Sequence, residues 1–292
     1  MASTTALKRR ITSVKNTKQI TKAMELVAAS KMRKAIESAH RGRAYREYAH
    51  GMLTRLNTVT EISAHPLYTK RAVNRRLYVV VTSNRGLAGA YNANVIRMLT
   101  RAVKSDIATG IQSQIIVIGR RGAQFLRRVE GVEIIAAYDD FGDHPTAKDI
   151  RPILDTITEK YRSAETDQVR LIYTEHKSNL SQIARSLTML PASFDEEIEA
   201  QSSTQSLADV TFEPSVQEVL DNVTERLLEV QIWQALLESI ASEQNMRMLS
   251  MKNATDNATE IIGDLTLEFN TARQAKITQE LAEITGGAEA MK

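Results

Sequence analysis

The most constraining feature of this chain is an apolar seam near its C-terminal end. From Val216, steps of four and three residues reach Leu220, Val223, Leu227, Val230, Gln234, Leu237, Ala241, Gln244, Met248, Met251, Thr255, Ala258, Ile262, Leu265, Phe269 and Ala272. A 3.5-residue repeat held this long predicts a coiled-coil helix, and a strict heptad period supercoils it left-handedly. Gln234, Gln244 and Thr255 interrupt the seam, as polar register-setting positions do. Gly263 lies inside the pattern, and Gly286 and Gly287 predict its end.

Proline placement divides the rest. All five prolines (Pro66, Pro145, Pro152, Pro191 and Pro214) fall in the middle of the chain, and none lies in 1–65 or 215–292. A proline inside a helix costs about 3 kcal/mol, so proline-free ends around a proline-bearing middle predict two long helices flanking a compact domain. The first helix is expected to start at Ser3 or Thr4, either of which can act as N-cap. Its apolar stripe reads Leu7, Ile11, Val14, Ile20, Met24 and Val27, with one slip in spacing, then Ala28, Ala29, Met32, Ala35, Ile36 and Ala39, fading toward Asn57. Small Ala28 and Ala29 admit a partner helix at close range. At 1.5 Å per residue, residues 4–57 span about 80 Å and residues 215–286 about 107 Å. The C-terminal helix is therefore expected to outrun its partner. Its last turns carry Ile277, Leu281, Ile284, Ala288 and Met291, a stripe that calls for a sleeve in another protein.

The middle alternates two periods. Leu77–Thr82, Ile115–Ile118, Val132–Tyr138 and Val169–Tyr173 read as buried strands. Asn92–Val103, Gly122–Val129, Ala147–Tyr161 and Leu180–Leu190 read as helices. Such a βαβ series predicts a parallel sheet. The expected fold class is α/β: a long antiparallel coiled coil of the terminal helices (1–60 and 213–292) with a central parallel-sheet, incomplete Rossmann-like domain (75–195).

Composition excludes several chemistries. With no cysteine, there is no disulfide, thiolate metal site or cysteine nucleophile. No run approaches the roughly 18 apolar residues of a spanning helix. The first residues carry charge but no apolar core, unlike a secretory signal. A net charge of +3 conceals an asymmetry. Lys8, Arg9, Arg10, Lys15, Lys18, Lys22, Lys31, Arg33, Lys34, Arg41, Arg43 and Arg46 face only Glu25 and Glu37, whereas the later stretch 195–213 is acidic. A basic block asks for an acidic partner: nucleic acid, anionic lipid or acidic protein.

Four candidate chemistries can be weighed on their residues. Thr82–Asn92 (TSNRGLAGAYN) places a glycine-containing turn between strand and helix, where phosphates can bind. Its G-x-x-G pattern matches neither the dinucleotide nor the P-loop fingerprint, so Gly86 and Gly89 read better as turn geometry. Gly119-Arg120-Arg121-Gly122 is a second such turn with exposed arginines. Asp139, Asp140, Asp143 and His144 match no calcium or zinc spacing and read as an acidic surface turn. The residues thus predict no cofactor, no metal and no small-molecule substrate. A basic coiled-coil nucleic-acid binder is the other alternative, disfavoured because no aromatic stacking residue precedes Tyr45.

Four stretches resemble a known family. Ile20–Ala35 (ITKAMELVAASKMRKA) is similar to the N-terminal signature of F-type ATP synthase gamma subunits, and Thr82–Val95 (TSNRGLAGAYNANV) to their central motif. Ser242–Ala258 (SEQNMRMLSMKNATDNA) and Leu265–Ala288 (LTLEFNTARQAKITQELAEITGGA) resemble their C-terminal signature. The resemblance runs in order along essentially the whole chain. It implies a non-catalytic rotor shaft coupling proton flow to ATP synthesis, held at the cytoplasmic face of a bacterial cell membrane as a peripheral subunit. Implied partners are the alpha and beta subunits of the hexameric head, the epsilon subunit and the membrane c-ring. The implied coupling residues are Met24, Arg247, Gln274, Thr278 and Glu283, the last three along roughly one helical face. Ala88 stands where many relatives carry a cysteine, and the cysteine-bearing insertion of chloroplast relatives is missing.

Overall fold

The computed structural model describes residues 4–57, 65–129, 132–139, 142, 145–179, 181–192 and 215–290. In chain order the elements are α1 (Thr4–Asn57), β1 (Arg75–Val81), α2 (Tyr91–Ala108), β2 (Gln112–Ile118), α3 (Arg120–Leu126), β3 (Glu133–Tyr138), α4 (Ala147–Arg162), β4 (Gln168–His176), β5 (Gln182–Leu190) and α5 (Val216–Ala290). Two compact units divide the chain: one of residues 30–246, the other of 1–29 with 247–292.

The larger unit is built on a five-stranded sheet of order β3-β2-β1-β4-β5. β1 lies parallel to both β2 and β4, and β2 parallel to β3. β1 shows why these strands read as unbroken apolar runs. Leu77, Val79 and Val81 enter one core with Ile153 and Ile157 of α4 and Leu227 and Ile232 of α5. Tyr78 and Val80 enter the opposite core with Val95 and Leu99 of α2 and Leu126 of α3. A strand covered on both faces has no polar side to alternate. Each fully buried side chain of this size stabilises the unit by about 1.5–3 kcal/mol before entropy is counted.

One element differs from expectation. Residues 182–190 form a strand, antiparallel to β4 from His176↔Gln182 to Val169↔Leu190, in place of the helix expected over Leu180–Leu190. The apolar residues Ile183, Leu187 and Leu190 fall at helical spacings, yet backbone pairing to β4 decides the conformation. Ile183 and Leu187 stay exposed on this edge strand, so neither period is visible in the sequence. The sheet is therefore mixed, with one antiparallel edge.

The terminal helices form the long antiparallel coiled coil. In the smaller unit, α5 buries Met251, Thr255, Ala258 and Leu265, with Ile262, Phe269 and Ala272 half-buried between and beyond them. These are the seam positions read from the sequence. On α1 the buried and half-buried residues include Leu7, Ile11, Val14, Lys18, Thr21, Glu25 and Ala28, in steps of four and three, with Met24 and Ala29 half-buried beside them. The apparent slip was thus no slip. Ile20 and Val27 belong to another face, 61% and 54% exposed, and polar Lys18, Thr21 and Glu25 hold the seam. Thr21 Oγ1 and Thr255 Oγ1 meet at 2.8 Å, a buried hydroxyl pair across the coil. α5 also runs through Gly286 and Gly287 to Ala290, beyond its expected end.

Candidate partner-binding site

The turn after β1 is built to close a loop. Thr82 Oγ1 donates to the carbonyl of Ile118 at 2.9 Å and accepts from the amide of Gly122 at 3.0 Å. The Ser83 carbonyl accepts from the Arg121 amide at 3.0 Å, and Asn84 Oδ1 from the Arg120 amide at 3.0 Å. The three amides that open α3, which a phosphate would need, already donate within the protein. Asn92 locks the loop from α2: its Oδ1 accepts from the Ser83 amide and its Nδ2 donates to Ser83 Oγ. Gly119 has φ +102, and a Cβ there would sit 2.2 Å from the Thr82 carbonyl oxygen. Only glycine fits. Leu87 joins Gly89 in the left-handed region, at φ 63 and 54.

In a doubly wound sheet, ligands enter beyond the C-terminal strand ends where the strand order reverses, here between β1 and β4. α5 occupies that place. Ser239 Oγ accepts from the Thr174 amide at 3.2 Å, Ser242 Oγ donates to the Thr174 carbonyl at 3.4 Å, and Asn245 Nδ2 donates to the Asn179 carbonyl at 2.8 Å. The crevice in which such a sheet would take a ligand is filled by α5. His176 lies half-buried nearby, its imidazole pKa lowered by desolvation. Of the suspected acidic turn, Asp139 is exposed 3.9 Å from Arg120, and residues 140, 143 and 144 lie outside the described residues.

All five coupling candidates belong to the smaller unit. Met24 is half-buried on α1, and Arg247 is buried on α5 and engaged with a partner group. Gln274, Thr278 and Glu283 are exposed. Thr278 Oγ1 donates to the Gln274 carbonyl at 3.0 Å, and Gln279 Nε2 donates to Glu283 Oε1 at 2.9 Å. At about 100° per residue, Thr278 stands roughly 40° from Gln274, but Glu283 roughly 180° from it. The three therefore do not share a face: Glu283 looks the opposite way. Around them Ile277, Leu281 and Ile284 are 48%, 60% and 69% exposed. Lys8, Arg9, Arg10, Lys15 and Lys22 lie exposed along α1, with Lys22 paired to Glu25 at 2.9 Å. The acidic stretch 195–213 and the side chains of Arg43 and Arg46 lie outside the described residues.

A buried polar cluster escaped sequence reading. Asp106 near the end of α2 accepts from Tyr78 OH at 2.7 Å and Ser113 Oγ at 2.9 Å, and pairs with Arg76. Burial, then the Asp106 carboxylate, pushes the Tyr78 phenol up to about 12. Asp167 similarly accepts from the amides of Asn74 and Arg75 at 2.9 and 2.8 Å. Both acids tie β1 to its neighbours, and no local signal marks either.

Two paired terminal helices, a domain whose crevice one of them fills, and an uncovered helical end define an interaction subunit that works through its surfaces. The family described as ATP synthase matches residues 3–291. The chain is similar to the ATP synthase gamma chain of Heliobacterium modesticaldum, 42% identical over 98% of each chain. The gamma chain of a Psychrobacter species (strain PRwf-1) is 37% identical over the full length of both. Its fold resembles the central stalk of the Tetrahymena thermophila mitochondrial ATP synthase, with TM-score 0.59, 26% identity, and 80% of this chain and 99% of that one covered. A chain of the Euglena gracilis mitochondrial enzyme shares the fold at TM-score 0.65 and 19% identity, over 99% of this chain and 94% of that one. The chain belongs to the ATP synthase gamma-chain family.

Proposed function

We propose that this chain is the central rotor shaft of an F-type ATP synthase, coupling transmembrane proton flow to ATP synthesis and hydrolysis without catalysing either. The observation that carries this reading is the outer part of α5. Residues 273–286 are exposed without exception, yet Ile277, Leu281 and Ile284 among them are apolar. A helix end that the described residues leave uncovered suits a bearing formed by the alpha and beta subunits. The basic face of α1 suits acidic loops of the beta subunits, and the α/β unit suits the epsilon subunit and the c-ring. No described helix is long and apolar enough to cross a membrane. Attachment is then peripheral, at the cytoplasmic face of a bacterial cell membrane.

Coupling follows from asymmetry around the shaft. Gln274 and Thr278 point to one side of α5 and Glu283 to the other, so three surrounding beta subunits meet different chemistry at any one angle. Each is biased toward a different nucleotide affinity, and rotation exchanges the biases. Such coupling is reciprocal: nucleotide turnover at beta drives the shaft as the shaft drives beta. Met24 and Arg247 act at the inner part of the same coil. The spent amides at α3 and the filled crevice support a non-catalytic role and disfavour a nucleotide-binding domain. The test is recovery of the tagged chain from gently solubilised membranes, with subunits counted by native mass spectrometry. One copy with three alpha and three beta subunits is expected. A chain recovered free, or with nucleic acid, defeats the reading.

A further inference from the structure

α5 meets the sheet in two ways. Up to Leu236 its inward face is apolar: Leu227, Leu228, Ile232, Ala235 and Leu236 lie in the core that α4 also covers. Beyond Leu236 the face turns polar, with Ser239, Ser242 and Asn245 all buried. At about 100° per residue these three fall within the same sector of the helix as the apolar set. The strands explain the change. β4 pairs with β1 only as far as Ile172, which faces Val80, yet it continues to His176. Thr174 lies beyond that pairing, and α5 takes the place of the missing strand. Ser239 Oγ accepts from the Thr174 amide at 3.2 Å, and Ser242 Oγ donates to the Thr174 carbonyl at 3.4 Å. Asn245 Nδ2 donates at 2.8 Å to the carbonyl of Asn179, which lies between β4 and β5. The larger unit ends at Met246, so these bonds occupy the last turns of α5 within it.

We propose that Ser239, Ser242 and Asn245 are positioning residues that fix the angle of α5 about its own axis, so that torque entering the α/β unit is delivered to the shaft helix. This rests on the rotor reading for the torque, and on the three hydrogen bonds for the place where it passes from sheet to helix. Apolar burial is non-directional, so the core around Leu228 and Ile232 holds α5 against the sheet with little preference among small rotations. Hydrogen bonds supply the angle, because they weaken steeply as length and direction depart from ideal. A side chain at the helix surface stands about 5 Å from the axis, so a rotation of roughly 20° carries it about 2 Å. A shift of that size breaks the bond between Ser239 and the Thr174 amide. Thr174 and both serines are buried, so a broken bond strands a donor and an acceptor away from solvent and drives the helix back. Two of the bonds end on the amide and carbonyl of one residue. The third lies six residues along α5 from Ser239, a rise of about 9 Å. Anchors at that separation resist sliding and tilting as well as rotation.

The experiment uses the intact synthase, immobilised through its head, with assembly established by native mass. Arg97, exposed on α2, is replaced by azidophenylalanine, to which a gold nanorod is attached. The angular spread of the rod during the pause without ATP reads the torsional stiffness between the α/β unit and the head. Ser239→Ala combined with Ser242→Ala is expected to raise the angular variance about twofold, and Asn245→Ala alone to raise it less. Tyr78→Phe separates stiffness from stability, since the core around Tyr78 contains no residue of α5. Its thermal midpoint should fall while its variance stays that of wild type. A variance unchanged by the serine and asparagine substitutions in assembled synthase overturns the proposal, as does an equal increase with Tyr78→Phe. If the double serine variant does not assemble, Asn245→Ala decides. A wild-type chain that does not assemble with alpha and beta subunits overturns the rotor reading and this proposal with it.

Discussion

Tyr78 shows what a single residue does when the sheet buries it whole. Its ring is fully enclosed, and its hydroxyl has one strong acceptor, Asp106. Burial penalises the ionised form, and ionising it would also place a second negative charge beside that carboxylate, so the pKa moves from 10.0 to about 12. A phenol that titrates higher when folded stabilises the fold at every pH below its unfolded value. That contribution, roughly 3 kcal/mol, is lost as pH rises from about 10 through about 12. Tyr78→Phe should therefore lower stability at pH 7 by about 1 kcal/mol, for one lost hydrogen bond, while losing stability less steeply than wild type between pH 10 and 12. Urea midpoints at stepped alkaline pH would show this; parallel curves for the two proteins would refute it. Tyr78 itself was legible as a strand residue in LYVVVT. Its partner was not, because Asp106 and Ser113 come to it only through the βαβ crossover, and nothing in the local sequence distinguishes Asp106 from a surface acid.

Elements were legible where one physical period dominated. The seam of α5 from Met251 to Leu265 could be read residue by residue, since apolar burial against one neighbour is the only demand on that stretch. The α1 seam was misread midway because three of its positions, Lys18, Thr21 and Glu25, are polar, while apolar Ile20 and Val27 face outward. A reading that follows hydrophobicity alone steps sideways at such a place. β5 was misread for the related reason that an edge strand has little burial to impose a period, and long-range pairing to β4 outweighs local pattern. The Thr21–Thr255 pair is where the coil's polar seam can be tested. One hydroxyl donates across the coil and the other to its own helix, where the Lys18 carbonyl lies 3.0 Å from Thr21 Oγ1 and the Met251 carbonyl 2.8 Å from Thr255 Oγ1. Replacing either threonine by valine breaks the cross-coil bond and leaves one buried hydroxyl facing a methyl, at a cost of about 1 kcal/mol. Replacing both removes the mismatch and should be nearly neutral. A double-mutant cycle by urea denaturation should therefore give a coupling of about 2 kcal/mol. Strict additivity would mean that the pair contributes nothing to the coil.

At the scale of the whole chain, stability and function draw on different residues. The α/β unit and the inner coil hold the buried side chains, and in the outer stretch of α5 the last half-buried position is Ala272. Beyond it Arg273 to Gly286 contribute no buried surface to this chain. Removing residues 274–292 should therefore leave the thermal midpoint of the isolated protein within about 2 °C of wild type, since surface positions away from packed features change stability little. The same deletion removes Gln274, Thr278, Glu283 and the apolar stripe of Ile277, Leu281 and Ile284 together. If that stripe turns in a bearing, the loss appears only in the assembly, as a severalfold fall in ATP synthesis driven by an imposed ion gradient in reconstituted vesicles. Splitting the deletion by face separates the two roles. Ile277, Leu281 and Ile284 changed together to serine should weaken seating of the shaft. Gln274 and Thr278 changed to alanine should leave assembly intact and reduce coupling alone. Normal coupled synthesis by the truncated chain would mean that torque is transmitted by the inner coil, around Met24 and Arg247, and that the exposed end of α5 is dispensable.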